Sequence, residues 1–399
     1  MSMPRAVRHI NEIRALEALL RRGGMSRADL ARQLGLTRST ASSIINTLTT
    51  EGLVIEDEAQ DARDNRAGRP GTLVRLRGEH GLFIGVELGI GRLSVVALDF
   101  AACVVAERHE TFAAAETAPE RLAARVADQV DCLCKALGGY DRLHGICVAV
   151  PGAVDREGRV LRAPLLGWRD VAILPMIAAH LPQPPLLTAE NDANAFAMAE
   201  VYRQPARPGP MELYVFLDAG LGGAILAGGE TLRGHGGYAG EFGHILVGQE
   251  GFVDMATLPG SLETFVGREA VLARHRFYGG GAGDIAEFLG LLETGEGAAQ
   301  VTLADWAHYL GLGLAALANI LDPGRIVLGG PVAALYGHCR EAVAAAMARH
   351  VLNGQPLPEI VLSELGHGGP AIGAACLLHK RLLSVDQEIV FGAENLTSR

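Results

Sequence analysis

The sequence predicts an α/β protein in two parts, a winged helix-turn-helix domain over residues 1–78 and a two-lobed body over residues 79–399. Three observations predict it. Charge divides along the chain: residues 1–78 hold thirteen arginines against nine acidic residues, a net of +4, whereas the remainder carries −14. A basic end on an acidic body suits a polyanionic partner at that end only. Apolar residues recur at helical spacing through the first fifty positions. From residue 82 onward, two similar β-rich halves separated by helical stretches give the pattern of an α/β fold with a cleft between lobes.

The first helix is predicted by Ile10, Ile13, Leu16 and Leu20 and stops at "RRGG". Ser26 then reads as the N-cap of a short second helix, with Asp29 three positions on in a capping-box arrangement. Gly35 makes the turn and Thr37 caps a third helix whose apolar stripe is Ala41, Ile44, Ile45 and Leu48. The tight connection between helices two and three is what a helix-turn-helix requires. The polar face of the third helix carries Arg38, Ser39, Thr40, Ser43 and Asn46, short donors and acceptors where a recognition helix meets base edges. "LVIE" and "TLVRLR" read as the two strands of a wing, with Arg66 and Arg69 at its tip, within reach of phosphate or a narrow minor groove. Double-stranded DNA is the expected partner.

In the body, "LFIGVELG", "LSVVALD" and "CVVAERH" predict an antiparallel meander, and a helix is expected over 119–137. "LHGICVAVPG" is a near-continuous apolar run suited to a buried strand. The second half opens with "LYVFLDAGLGGAILAGG" and closes with "RIVLGGPVAAL". Lobes are expected over 79–195 together with the C-terminal segment, and over 196–365. No stretch of about 18 uncharged apolar residues and no signal-peptide layout is found, so a cytoplasmic location is expected. Six scattered cysteines, including Cys132 and Cys134 two apart on a predicted helix, read as ordinary buried thiols with no metal or redox use.

"HGGYAGEFGH", residues 235–244, has four glycines around Glu241 and His244. Such a spread of glycine implies backbone in close approach to something. Together with "VAVPGAVDREGRVLRAPLLGW" (148–168), "ENDANAFAMAE" (190–200), "DAGLGGAILAGG" (218–229) and "IVLGGP" (326–331), in that order, it resembles the ROK family of repressors and sugar kinases, whose body is actin-like. With the N-terminal winged helix and its "GRP" tip, the resemblance is to the repressor branch and covers nearly the whole chain. It implies a sugar site in which Glu241 and His244 hydrogen-bond hydroxyls, Asn191 and Asp192 do the same, and Glu263 closes the site. The chemistry is consistent, since carboxylates accept from hydroxyls while Asn and His donate or accept. A plainer reading leaves Asn191 and Asp192 as the cap of a following helix.

Two departures from the family pattern bear on activity. Where relatives place three cysteines that join the His on a structural zinc, Asp254, Ala256 and Ser261 stand here, a poor ligand set, so no metal is expected. Where kinases carry a D-x-G-G-T-like phosphate hairpin, this chain reads "ELGIGRLS", with Glu87 for the Asp and no Thr after Gly91. Ala219 stands where relatives have Thr in the second phosphate loop. Phosphoryl transfer rests on positioning and electrostatic stabilisation, which these changes undercut. The expectation is therefore a non-enzymatic regulator without cofactors. It would repress carbohydrate uptake or catabolism genes, respond to a sugar or sugar derivative, and work as a homodimer or homotetramer. The alternative is an active ATP-dependent kinase of a hexose or N-acetylhexosamine, fused to a DNA-binding domain.

Overall fold

The computed structural model describes residues 3–58, 72–113, 117–183, 185–202, 209–253 and 258–383. The N-terminal elements are α1 (Met3–Arg22), β1 (Met25–Ser26), α2 (Arg27–Leu34), α3 (Arg38–Thr50), β2 (Val54–Glu58) and β3 (Thr72–Leu76). Ser26 caps α2 by accepting from Asp29 N at 3.1 Å, and Thr37 caps α3 by accepting from Thr40 N at 3.2 Å. The expected stripe of α3, Ala41, Ile44, Ile45 and Leu48, is buried. Strands β2 and β3 form the antiparallel wing, and β1 adds a short third strand that the sequence did not suggest. The wing tip, with Arg66 and Arg69, lies outside the described residues.

The first lobe contains β4 (Leu82–Gly89), β5 (Arg92–Asp99), β6 (Val104–Thr111), α4 (Pro119–Ala136) and β7 (Leu143–Val150). Then come β8 (Ala153–Val154), β9 (Val160–Ala163), β10 (Trp168–Val171), α5 (Ile173–Ala178), β11 (Leu186–Asn191) and α6 (Asp192–Tyr202). The second lobe has β12 (Met211–Leu217), β13 (Leu221–Ala227), β14 (Glu230–Thr231), α7 (Glu263–Val266), α8 (Arg268–Phe277), α9 (Ile285–Glu293) and α10 (Gly297–Leu321). It ends with β15 (Arg325–Gly329), α11 (Arg340–Ala348) and β16 (Glu359–Leu362), after which α12 (Gly369–Leu383) returns to the first lobe.

The two main sheets share one topology. Their orders are β6-β5-β4-β7-β11 and β14-β13-β12-β15-β16, each an antiparallel meander with two parallel strands added beside its first strand. Strand β7 lies between β4 and β11, which is why its sequence is apolar on both faces. Helix α10 is long and apolar enough to cross a membrane by composition, but most of it is buried; Trp306, Leu310 and Leu314 on it are fully enclosed in the second lobe's core.

Helices α6 and α12 are in backbone contact: a Cβ on Gly373 would fall 1.6 Å from the Ala195 carbonyl oxygen. The lobe break expected at 195–196 falls inside α6. One apolar cluster unites Leu16 and Leu19 of α1 with Phe83, Phe100, Leu378 and Leu383, so the winged helix and the first lobe share a core. Four cysteines are buried as expected, but Cys103 and Cys132 are exposed. Cys103 sits on the approach to edge strand β6, and Cys132 lies on the face of α4 turned away from Cys134.

Candidate functional site

Two surfaces hold the residues singled out by sequence. On α3, Arg38, Ser39, Thr40, Ser43 and Asn46 are all exposed on one side of a helix whose other side is core. The hydroxyls of Ser39 and Thr40 lie 2.9 and 2.8 Å from the capping hydroxyl of Thr37, so both are pre-ordered at the N-terminus of the helix. Arg8 of α1, unnoticed in the sequence, donates to Thr47 Oγ1 at 2.5 Å and brings a further guanidinium beside α3.

The second surface is a cleft of about 570 Å³ between the lobes, lined by Asn191, Asp192, Glu241, His244 and Glu263 together. Asn191 ends β11 and Asp192 opens α6. Asn191 Oδ1 accepts from Asn194 N at 3.0 Å, and its Nδ2 donates to the Gly152 carbonyl at 3.1 Å. Asn191 therefore does cap α6, with part of its amide left for the cleft. Asp192 Oδ1 accepts from Ala193 N at 2.8 Å. His244 sits between two carboxylates, Nδ1 3.2 Å from Glu263 Oε1 and Nε2 3.5 Å from Glu241 Oε2. Contact with Glu263 raises the His244 pKa, whereas burial raises that of Glu241, helped by the nearby Glu263 charge. Burial pushes Asp192 up to about 8, with the charges of Glu87 and Asp218 adding to it; the carboxyl keeps an edge open to the cleft.

The close approach implied by the glycines between His235 and His244 is met at Gly240. Gly240 has φ +97°, and a Cβ there would lie 2.2 Å from the Gly223 carbonyl oxygen. The close approach is backbone to backbone, locking this loop onto β13 and so fixing Glu241 and His244 from below. Of the positions compared with zinc ligands, Asp254 and Ala256 lie outside the described residues, and Ser261 is buried with no hydrogen-bond partner for its hydroxyl among the described residues. A neutral hydroxyl beside a His already engaged by two carboxylates does not fit a structural zinc.

At the other end of the cleft stand Glu87 and, on the turn between β12 and β13, Asp218 and Ala219. Arg92, directly after the turn glycine Gly91, donates to Glu87 Oε1 at 2.6 Å and approaches Asp218 Oδ2 at 3.4 Å. Arg268 holds the other oxygen of Asp218 at 3.0 Å. Burial pushes the Glu87 carboxyl up to about 7, with Arg92 opposing the shift. A second ion pair crosses between the lobes beside Asn191. Glu190, 5% exposed, receives Asn191 N at 2.9 Å, Asn194 Nδ2 at 3.1 Å and the guanidinium of Arg233. Sequence reasoning missed Arg92, Glu190 and Arg233; the one visible signal was an arginine standing where a phosphate hairpin would carry a small residue.

Residues 83–381, carrying both hairpins and the whole cleft, match the ROK family, and residues 8–64 match the MarR family. The chain belongs to the ROK family. Among ROK relatives it is 26% identical to the xylose repressor of Bacillus spizizenii over 385 residues, 95% of this chain and 97% of the relative. It is also 26% identical to a glucokinase of Streptomyces coelicolor, covering 74% of this chain and 97% of the kinase. Its fold matches the crystal structure of a ROK family transcriptional regulator described as a homologue of the E. coli MLC protein, with TM-score 0.72, 23% identity, and 94% and 97% of the two chains covered. The likeness to the repressor and the regulator thus covers nearly the whole chain, and that to the kinase about three quarters of it.

Proposed function

We propose that this ROK protein is a sugar-responsive transcriptional repressor of carbohydrate uptake or catabolism genes, binding DNA through α3 and the wing and a sugar in the interlobe cleft, without phosphoryl transfer. The observation that carries the reading is the state of the two cleft ends. One end offers five hydroxyl-matching side chains; at the other, the protein's own Arg92 pairs with the carboxylates of both hairpins. A nucleotide's metal and phosphates do not fit that second end, because Glu87 and Asp218 are neutralised from within and Ala219 supplies no hydroxyl donor.

Asn191, Asp192, Glu241, His244 and Glu263 bind the sugar from both lobes, so binding favours one interlobe angle. That differential affinity changes the presentation of paired winged helices in a homodimer or dimer of dimers. The cell interior, where operator DNA and sugar meet, is its place of action. The kinase alternative draws on one observation, that Asp192 is poised near neutral pH as a general base would be. Fluorescence anisotropy on promoter DNA from neighbouring carbohydrate genes, with D-xylose, D-glucose and N-acetyl-D-glucosamine, tests the proposal. Sugar-dependent operator affinity with no ADP release in a coupled assay supports it; catalytic ADP release on adding any of these sugars with ATP refutes it.

A further inference from the structure

We infer that the Arg92–Asp218 contact across the cleft reads the interlobe angle, and that His367 and helix α12 pass its state to α1 of the winged helix. Arg92 is thus a positioning residue for the DNA-binding domain. The inference rests on the regulator reading above and adds the route by which the signal travels.

Arg92 belongs to the first lobe and Asp218 to the second. At 3.4 Å their contact is the weakest bond Arg92 makes, so a small change of angle makes or breaks it, while Glu87 at 2.6 Å keeps the guanidinium in place. Asp218 is itself fixed by Arg268 within its own lobe, so the contact reports the lobes and not a loose side chain. Asp192 lies near enough for its charge to act on Arg92, placing the contact beside the effector-facing carboxyl. The other end of the same guanidinium, Nη1, lies 3.0 Å from His367 Nδ1.

His367 lies on the short turn that leads into α12, two residues before the helix begins. That helix is stiffly seated: Gly373 is in backbone contact with α6, and a Cβ on Gly85 of β4 would fall 1.8 Å from the Ala371 carbonyl oxygen. At its far end His379, fully buried, bridges Tyr202 and the Phe100 carbonyl. Leu378 and Leu383 enter the core that contains Leu16 and Leu19 of α1. A packed helix with discrete contacts at both ends is the kind of element that transmits a two-state signal. A hinge between winged helix and body would instead have to open a shared apolar core.

The test measures operator affinity with and without D-xylose, D-glucose or N-acetyl-D-glucosamine, and sugar affinity by calorimetry, for wild type, Arg92→Gln, Arg92→Lys, His367→Ala, Asp218→Asn and the Arg92→Gln/Asp218→Asn double variant. Circular dichroism and the melting temperature check that each variant is folded. The expected result is that His367→Ala keeps sugar affinity within about threefold but loses most of the sugar-induced change in operator affinity, a coupling typically of 5–150-fold. Arg92→Gln and Asp218→Asn lose it too, the double variant no more than either single one, and Arg92→Lys restores part of it. A wild-type response retained in full by both His367→Ala and Arg92→Gln overturns the inference and leaves the regulator reading standing. A wild type that answers none of the sugars overturns that reading instead.

Discussion

Asp192→Asn changes one atom of the cleft and makes a calculable difference. Oδ1 of Asp192 is committed to Ala193 N at 2.8 Å, which an asparagine oxygen keeps, so the helix start survives. The second oxygen, open to the cleft, becomes an NH2 that cannot accept from a sugar hydroxyl. A hydrogen bond to a charged group is worth about 1.5–3 kcal/mol, a loss of about 10- to 150-fold in affinity. Because the carboxyl is pushed up to about 8 in the free protein, only about one molecule in ten is ionised at pH 7, which takes about 1.4 kcal/mol from the wild-type advantage. The ratio of mutant to wild-type dissociation constants should therefore be about tenfold larger at pH 9 than at pH 7. Isothermal calorimetry with whichever of D-xylose, D-glucose or N-acetyl-D-glucosamine binds wild type measures both ratios. An unshifted constant at pH 9 would show that Asp192 only begins its helix and that the sugar lies elsewhere.

Stability should carry the same signature. The folded chain holds protons on Asp192 and Glu87 that the unfolded chain has released from about pH 4 upward, so ligand-free stability falls as pH rises toward 8. A thermal-melt series should show a shallower fall for Asp192→Asn than for wild type; parallel curves would contradict the burial of this carboxyl. Gly240→Ala forces a side chain to φ +97° and 2.2 Å from a carbonyl, and should cost about 1–3 kcal/mol and displace Glu241 and His244. Equal melting temperature and sugar affinity would refute the backbone lock. Arg38→Ala and Asn46→Ala should each cost about 1–3 kcal/mol at the specific operator and relax specificity, while Arg69→Ala weakens all sequences alike and lowers the salt slope. Unchanged operator affinity in all three variants would place DNA on another surface.

What the sequence disclosed depended on how local each signal was. Caps at Ser26 and Thr37, the stripe of α3 and the doubly buried β7 are set by neighbours within a few residues, and they were legible. Asn191, Asp192, Glu241, His244 and Glu263 were reached through motif order, and the structure brings all five to one cleft. Contacts that couple distant segments left no trace. Arg92 meets a partner 126 positions away, and Glu190 meets Arg233 across 43. Nothing in the local pattern of "GIGR" says that its arginine will cross a cleft. Exposure of Cys103 and Cys132 was hidden for a related reason, since it depends on which face of α4 is covered and on β6 being an edge strand.

The pairing of two sheets with one topology explains how a ROK fold can keep the proposed sugar site while its hairpin turns are rewritten. The turns β4–β5 and β12–β13 are equivalent positions in the two sheets, and both deliver their residues to the same end of the cleft. The residues proposed to bind sugar come from elsewhere: the β11–α6 junction, the loop locked onto β13, and the start of α7. A substitution at position 92 is therefore felt by Asp192 through charge, since Glu87 and Asp218 act on that carboxyl, whereas the β12–β13 turn also touches the site directly: a Cβ on Gly220 would lie 2.8 Å from Glu263 Oε2. An arginine at position 92 converts a hairpin that would face phosphate into one that faces the opposite lobe. Any metal and phosphate would have to separate Arg92 from both carboxylates before entering, so the substitution that disfavours nucleotide also creates a contact sensitive to lobe angle.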